Sequence, residues 1–327
     1  MKPGVLQGNI YRRSVAAGLH FHRDEIIDGA ASRGVCASFV VGDSESIVMG
    51  SSFQAAFYEK KGQAAIAAAV NHMAAEGHRP IAVNVTILMP VKYSEEKLKT
   101  IVAAIDDMSL RMEVEVANIS GELLEGIDYP VVVASAIGIK NNSNRFAKAG
   151  DAIIMTKYAG AYGASVIAEH KKKELSGRFS TAYIEGAALD EAFASVQKEC
   201  SLAGKSGAHM MIAVGKGGVD AALWELAESQ SVGLRIVLRD IPIKQETVEV
   251  CNYFDVNPYE LYSEGCLLIV TDREDKMLET LQAEGITAAV IGRVTDDNDK
   301  LIINDYEERY LTKPVPDGLT TISFYGE

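Results

Sequence analysis

No two cysteines in this chain are spaced to hold a metal or clip a short loop, since Cys36, Cys200, Cys251 and Cys266 stand far apart and form no CxxC pair. That excludes a zinc module and a disulfide framework, and leaves buried, reduced thiols as the expectation. Nor does any uninterrupted apolar run reach the roughly 20 residues needed to span a bilayer. The opening stretch MKPGVLQGNIYRRSV has no signal-peptide core, so the sequence predicts a cytoplasmic protein without membrane contact. Positive charge is scarce: 32 Lys and Arg against 45 Asp and Glu give a formal net charge of -13. Such a balance opposes general binding to nucleic acid or anionic lipid, and leaves only local basic pockets for anions. Internal repeats and low-complexity segments are also missing.

What is present is the composition of a soluble globular protein, 48% hydrophobic and 24% charged over 327 residues, a length that predicts two domains. The most informative stretch is Ala208 to Gly233, AHMMIAVGKGGVDAALWELAESQSVG, which reads as strand, glycine-rich turn and helix in succession. Val219, Ala222, Leu223, Leu226 and Ala227 fall at helical spacing, and Asp220, Glu225 and Glu228 are expected on the solvent side. The turn Gly215-Lys216-Gly217-Gly218 would present unpaired N–H groups and a lysine to an anion at the positive end of the helix. Alternatively, the glycines serve only to let strand and helix pack closely.

Before this stretch the pattern is mixed α/β. His20 and His22 would share one face of a strand, which is metal-ligand spacing without a third ligand; solvated or stacked histidines are the alternative. Cys36 to Val41 and Ser46 to Met49 read as a hairpin around Gly42-Asp43-Ser44. The alanine-rich run Gln63 to Glu76 predicts a tightly packed helix closed by Gly77, with Asn71 and His72 either partnered in the core or directed into a site. Ile81 to Met89 alternates as a strand, and Ser94 caps a helix over Glu95 to Ser109. Met112 to Val116 reads as a strand with Glu113 and Glu115 exposed, and Pro130 to Ile139 as an apolar strand. Asn141-Asn142-Ser143-Asn144 is the most linker-like segment, which predicts domains at 1–144 and 145–327.

In the second half, strands are expected at Ala152 to Thr156, Leu234 to Leu238, Cys266 to Thr271, Ala288 to Val294 and Leu301 to Asn304. Helices are expected at Tyr162 to Lys172, Ala187 to Cys200, Gln245 to Phe254 and Arg273 to Ala283. Lys171-Lys172-Lys173 reads as a solvated helix end, and the tail after Thr312, with Pro314 and Pro316, as extended chain.

Five ordered segments, AGDAIIMTKYAGAYGAS, GKGGVDAALWELAESQSVG, IPIKQETVEVCNYFDVNP, LYSEGCLLIV and AAVIGRV, span most of 149–304. Together they resemble the family of aminoimidazole ribonucleotide synthetase, selenophosphate synthetase, thiamine-monophosphate kinase and the hydrogenase maturation factor that dehydrates a thiocarboxamide. The resemblance implies two α/β domains, with a homodimer formed through the strands of the N-terminal one and an ATP site between the domains. It also implies Mg²⁺ bridging the nucleotide phosphates, which requires acidic oxygens.

Against that expectation, Ala213 stands where the family has an aspartate, Asn71-His72 replaces an Asn-Asp pair, and Cys36 and Ser51-Ser52 occupy positions expected to be acidic. VANISGEL at Val116 to Leu123 matches the family's loop loosely, keeping Glu122. The pattern predicts a divergent member lacking the usual Mg-ATP site and acting as a small-anion-binding, scaffold or regulatory protein. Cofactor-contacting candidates are Lys157, Lys216, Gly217, Gly218, Asn71 and Ser263. The alternative is an ATP-dependent synthetase or dehydratase with a rearranged site, for which His72, Glu122 and Glu264 are catalytic candidates. The closing residues Ser323 to Glu327 contain no cysteine to carry a carbamoyl group as in the maturation factor. Glu113 and Glu115 are the features that would suit a protein partner instead.

Overall fold

The computed structural model describes residues 4–5, 13–20, 23, 26–28, 38–39, 42, 46–55, 61–141, 146–305 and 307–324. The chain forms two compact units, Met1–Ala74 with His78–Asn141, and Ala75–Gly77 with Asn142–Glu327. The boundary expected after residue 144 falls in 142–145, outside the described residues, as do Cys36, His22 and most of the expected hairpin turn.

The first unit contains β1 (Gly4–Val5), β2 (Ile26–Asp28), β3 (Ser38–Phe39), β4 (Ile47–Ala55), α1 (Lys61–Ala75), β5 (Arg79–Pro90), α2 (Glu95–Arg111), β6 (Glu115–Leu124) and β7 (Val131–Ile139). Its five-stranded sheet runs β1-β6-β5-β7-β4. β5 and β6 are parallel because α2 crosses between them, whereas β7 pairs antiparallel with both β5 and β4. α2 starts where Ser94 Oγ accepts a hydrogen bond from Lys97 N at 3.3 Å, and Glu95 and Glu96 in its first turn suit the helix dipole. Small residues in α1 permit close helix contact: a Cβ on Gly62 would lie 2.8 Å from Ile105 Cγ1 and 3.0 Å from Ile101 O of α2.

The period-two pattern of β5 resolves into buried Val83, Val85, Ile87 and Met89 and half-buried Asn84, Thr86 and Leu88. On that second face polar groups line up across strands. Asn118 donates to Asn84 at 3.0 Å, Thr86 and Ser120 hydroxyls meet at 3.1 Å, and Ser51 and Ser135 hydroxyls at 2.7 Å. Beside them on β4, Ile47, Met49 and Phe53 stand 51%, 68% and 61% exposed.

Three expectations fail here. β3 pairs with β2, and β4 with β7, so the two expected hairpin strands belong to different sheets. A turn signature fixes a reversal of the chain but not which strand becomes the partner. Glu115 is buried at the start of β6, while Glu113 sits in a left-handed turn (φ 53) rather than on a strand face. β6 also runs through VANISGEL, which was expected to be a loop.

The second unit contains β8 (Ala152–Thr156), α3 (Ala161–His170), α4 (Lys172–Leu175), α5 (Thr181–Gly186), α6 (Gln197–Ser206), β9 (Met210–Val214), α7 (Gly218–Gln230), β10 (Gly233–Val237), α8 (Gln245–Phe254), β11 (Cys266–Thr271), α9 (Glu274–Ala283), β12 (Ala288–Thr295), β13 (Lys300–Asn304) and β14 (Glu307–Tyr310). Its seven-stranded sheet runs β14-β13-β10-β12-β8-β11-β9. Only β10 and β13 are parallel among these pairs. Val219, Ala222, Leu223, Leu226 and Ala227 of α7 pack into a core with Ile153, Met155, Ile212, Val214 and Leu268. Burying each such leucine contributes about 2 kcal/mol.

A separate cluster joins Ala164, Ile167 and Ala168 of α3, Val250 and Cys251 of α8, Leu261 and Ile322. The run Ala187 to Cys200 is not one helix: Asp190 caps a short 3-10 turn at Glu191–Ala194, and α6 starts only at Gln197. Alanine content favours helix there, but the Asp190 side chain bonds Ala192 N at 2.8 Å and reopens the chain. Lys171 is buried, unlike Lys172 and Lys173. In the tail, Gly318–Thr321 forms a 3-10 turn rather than extended chain.

Candidate functional site

The glycine turn joins β9 to α7 because Gly217 and Gly218 adopt left-handed backbone, φ 77 and φ 67. A Cβ on Gly218 would sit 2.3 Å from Tyr259 O, so only glycine fits. Gly215 O accepts hydrogen bonds from Gly218 N (3.2 Å) and Ser263 N (3.1 Å), and Asp220 N donates to Tyr259 O at 3.1 Å. The segment Tyr259 to Glu264 is thereby tied to the turn.

Ser263 Oγ accepts from Gly160 N at 2.8 Å and donates to Leu261 O at 2.7 Å. Tyr262 OH donates to Glu264 Oε2 at 3.0 Å, and both residues are buried. Burial lowers the Lys216 pKa, against the opposing pull of Asp317 and Glu264. Lys216, Gly217, Gly218, Ser263 and Glu264 thus meet in one corner of the second unit.

Lys157 takes a left-handed backbone (φ 57) just after β8. Its ammonium donates to Phe193 O at 2.9 Å and Ser195 O at 2.6 Å, and pairs with Glu199 Oε1 at 2.7 Å. An ammonium has three donors, and three acceptors are present. In the first unit Asn71 is buried in α1 while the adjacent His72 is exposed, as is Glu122 on β6. Ala213 is a buried methyl in β9, paired with Leu267. His20, considered for metal, has its ring Nδ1 2.7 Å from Asp106 Oδ2. Among the described residues no group of three or more His, Cys, Asp or Glu side chains is placed to hold a metal ion. Nor is any of the described helices long and apolar enough to cross a membrane.

Three groups at this corner escape sequence reasoning. Asp317 Oδ2 accepts from Gly217 N at 2.7 Å, and Oδ1 from Leu319 N at 2.9 Å. The Pro316-Asp317-Gly318 triplet is a turn signal, but the partner it reaches stands 100 residues earlier. Glu199 is likewise remote from Lys157 in sequence. Asp220, expected in solvent, is buried with neither carboxylate oxygen hydrogen-bonded among the described residues. Burial raises its pKa to about 6, with Arg309 opposing and Glu260 reinforcing. The three described cysteines are free and buried, and burial pushes the Cys251 and Cys266 thiols up to about 12.

Comparison with known proteins places this architecture. The family model for "AIR synthase related protein, N-terminal domain" matches residues 32–140, and that for its C-terminal domain matches 148–304. A Methanocaldococcus jannaschii protein assigned to hydrogenase expression and formation is 24% identical over 88% of this chain and 87% of its own length. Carbamoyl dehydratase HypE of Rhodobacter capsulatus is 24% identical over 72% of this chain and 70% of its own. Among solved structures, E. coli HypE, a hydrogenase maturation protein, superposes with a TM-score of 0.72 at 17% identity, covering 84% of this chain and 88% of that one. Thiamine-monophosphate kinase from Stenotrophomonas maltophilia gives 0.70 at 16%, covering 94% and 99%. With both domain models matched in order along its length, this chain belongs to the AIR synthase related, HypE-like family.

Proposed function

We propose that this chain is a divergent member of the family that does not run the usual Mg-ATP chemistry and acts as a small-anion-holding scaffold or regulatory protein. The observation that carries the reading is the state of Lys157. Its charge is neutralised by Glu199 and its donors are filled by two carbonyls, so it offers little to a triphosphate. Ala213 supports the same reading, because a methyl group supplies no oxygen to a hard cation. Neither residue suits a magnesium nucleotide. Isothermal titration of the whole protein with ATP and Mg²⁺ is expected to show no binding tighter than about 10 μM, roughly −7 kcal/mol. Tighter binding overturns the reading.

One observation favours an active enzyme instead: Glu264 is fully buried against Tyr262 and beside Lys216, an environment suited to an acid or base rather than to solvation. A HypE solved in complex with ATP shares the fold, with a TM-score of 0.73 at 17% identity. An ATPase assay separates the two. Metal-dependent turnover that is lost in His72→Ala or Glu264→Gln establishes the enzyme.

The same proposal includes a homodimer through the first unit. Ile47, Met49 and Phe53 lie exposed on alternate positions of β4, an apolar row that a second copy would cover.

A further inference from the structure

The glycine turn that the sequence offers to an anion already meets a carboxyl group, supplied by the chain itself. Gly217 N, the turn's inward donor, gives its hydrogen to Asp317 Oδ2 at 2.7 Å. Leu319 N donates to the other oxygen at 2.9 Å, and the backbone N–H of Tyr262 is a further donor to the same carboxyl group. These donors come from three separate segments: the turn, the Tyr259 to Glu264 segment and the tail. Burial raises the Asp317 pKa, against the opposing pull of the three backbone donors and of the Lys216 charge. Asp317 is only 9% exposed.

The tail is held around this residue. Gly318 N donates to Glu260 O at 3.2 Å, and Thr320 closes on Asp317 O through both N (2.8 Å) and Oγ1 (2.7 Å). Leu319, Ile322 and Phe324 pack against α3 and α8 with Ile167, Leu175 and Val256. The carboxyl group is thus delivered by a segment anchored immediately after it.

We propose that Asp317 is an intramolecular plug: its carboxyl group occupies the oxyanion position formed by Gly217, Tyr262 and Lys216, and shuts that position to external phosphate or carboxylate. This deepens the small-anion reading above and rests on it, by naming the anion as the protein's own. Two hydrogen-bonded oxygens next to a lysine match a small carboxylate or a phosphate edge, and not a neutral ligand. Removing the side chain leaves a pocket of matching donors that an added oxyanion can fill.

The test uses the full chain as wild type, Asp317→Ala, Asp317→Ser and Asp317→Asn, with formate, acetate and inorganic phosphate as probes. Asp317→Ala is expected to melt several degrees lower than wild type, and millimolar formate or acetate to restore most of that loss, since a ligand that binds only the folded state raises the melting temperature. Wild type is expected to gain nothing from the same additions. Phosphate titrated calorimetrically is expected to bind Asp317→Ala about tenfold or more tighter than wild type, and adding Lys216→Gln to remove that gain. If Asp317→Ala does not fold, Asp317→Ser carries the same titration, because its short hydroxyl can still accept from Leu319 N while leaving the position open. Asp317→Asn, which keeps the position filled, is expected to bind phosphate no better than wild type. Phosphate binding by Asp317→Ala or Asp317→Ser equal to that of wild type, or indifference of these two variants to all three anions, overturns the plug. Mg-ATP titrated into wild type reports separately on the functional reading: tight binding there, with anion rescue intact in the variant, sinks that reading and leaves the plug standing.

Discussion

The two units of this protein treat their polar candidates in opposite ways. In the first, His72 and Glu122 stand exposed, and the sheet presents a row of hydroxyl and amide contacts beside partly exposed apolar side chains on β4. In the second, Lys157, Glu199, Glu264, Asp317 and Asp220 are drawn into the interior or its edge, and all but Asp220 have partners there. Exposed groups remain available to whatever arrives from solution. Buried charges must be matched internally, or they destabilise the fold. The contrast teaches that a lysine's donors can be taken up within its own unit, as those of Lys157 are by Glu199 and two carbonyls.

The largest expected effect comes from breaking that matching. Glu199→Ala strands the Lys157 ammonium and is expected to lower stability by about 3–5 kcal/mol in urea unfolding. The double variant Lys157→Met/Glu199→Leu is expected to recover much of the loss, because no unpaired charge then remains. A single variant as mild as the double one would show that Lys157 reaches water and is free for a ligand.

Asp220 sharpens the comparison from the other side, since it is the buried acid without a hydrogen bond. Its folded pKa of about 6 lies above the ordinary 3.8, so the folded state holds the proton more tightly than the unfolded one. Stability from this group is complete below about pH 4 and is lost as pH rises through 6. Asp220→Asn is therefore expected to stabilise the protein at pH 8 by up to about 3 kcal/mol, and to do nothing at pH 4, in parallel denaturant titrations. Equal effects at both pH values would remove the titration from the account.

The smallest effect on stability, within about 0.5 kcal/mol, is expected from Phe53→Glu on the exposed row of β4. Its consequence belongs to assembly: light scattering is expected to show wild-type dimers and variant monomers. Dimers in both would move the interface elsewhere.

Much of this fold is written in local spacing. The alternation of β5, the cap at Ser94, the left-handed close at Gly77 and the succession from Met210 through the glycine turn to Gln230 all follow from periodicity and turn chemistry. What local spacing leaves open is partnership. Glu115 and Asp220 carry polar labels in amphipathic patterns and are buried nonetheless. β3 and β4 flank a turn and pair with other strands. At the candidate site, the glycine turn between strand and helix was legible, whereas its bond to Asp317 required a contact across 100 positions. Lys157 was legible as a basic residue, but its commitment to Glu199 was not.

At the two borders of the seven-stranded sheet, further growth is blocked by different means. β9 is buried along its whole length, and β14 ends the opposite side with Glu307, Glu308, Arg309 and Tyr310 all facing water. A foreign strand docking beside β14 would have to strip water from three charged side chains, so fibre-like stacking of copies through this border is disfavoured without any loss to the interior.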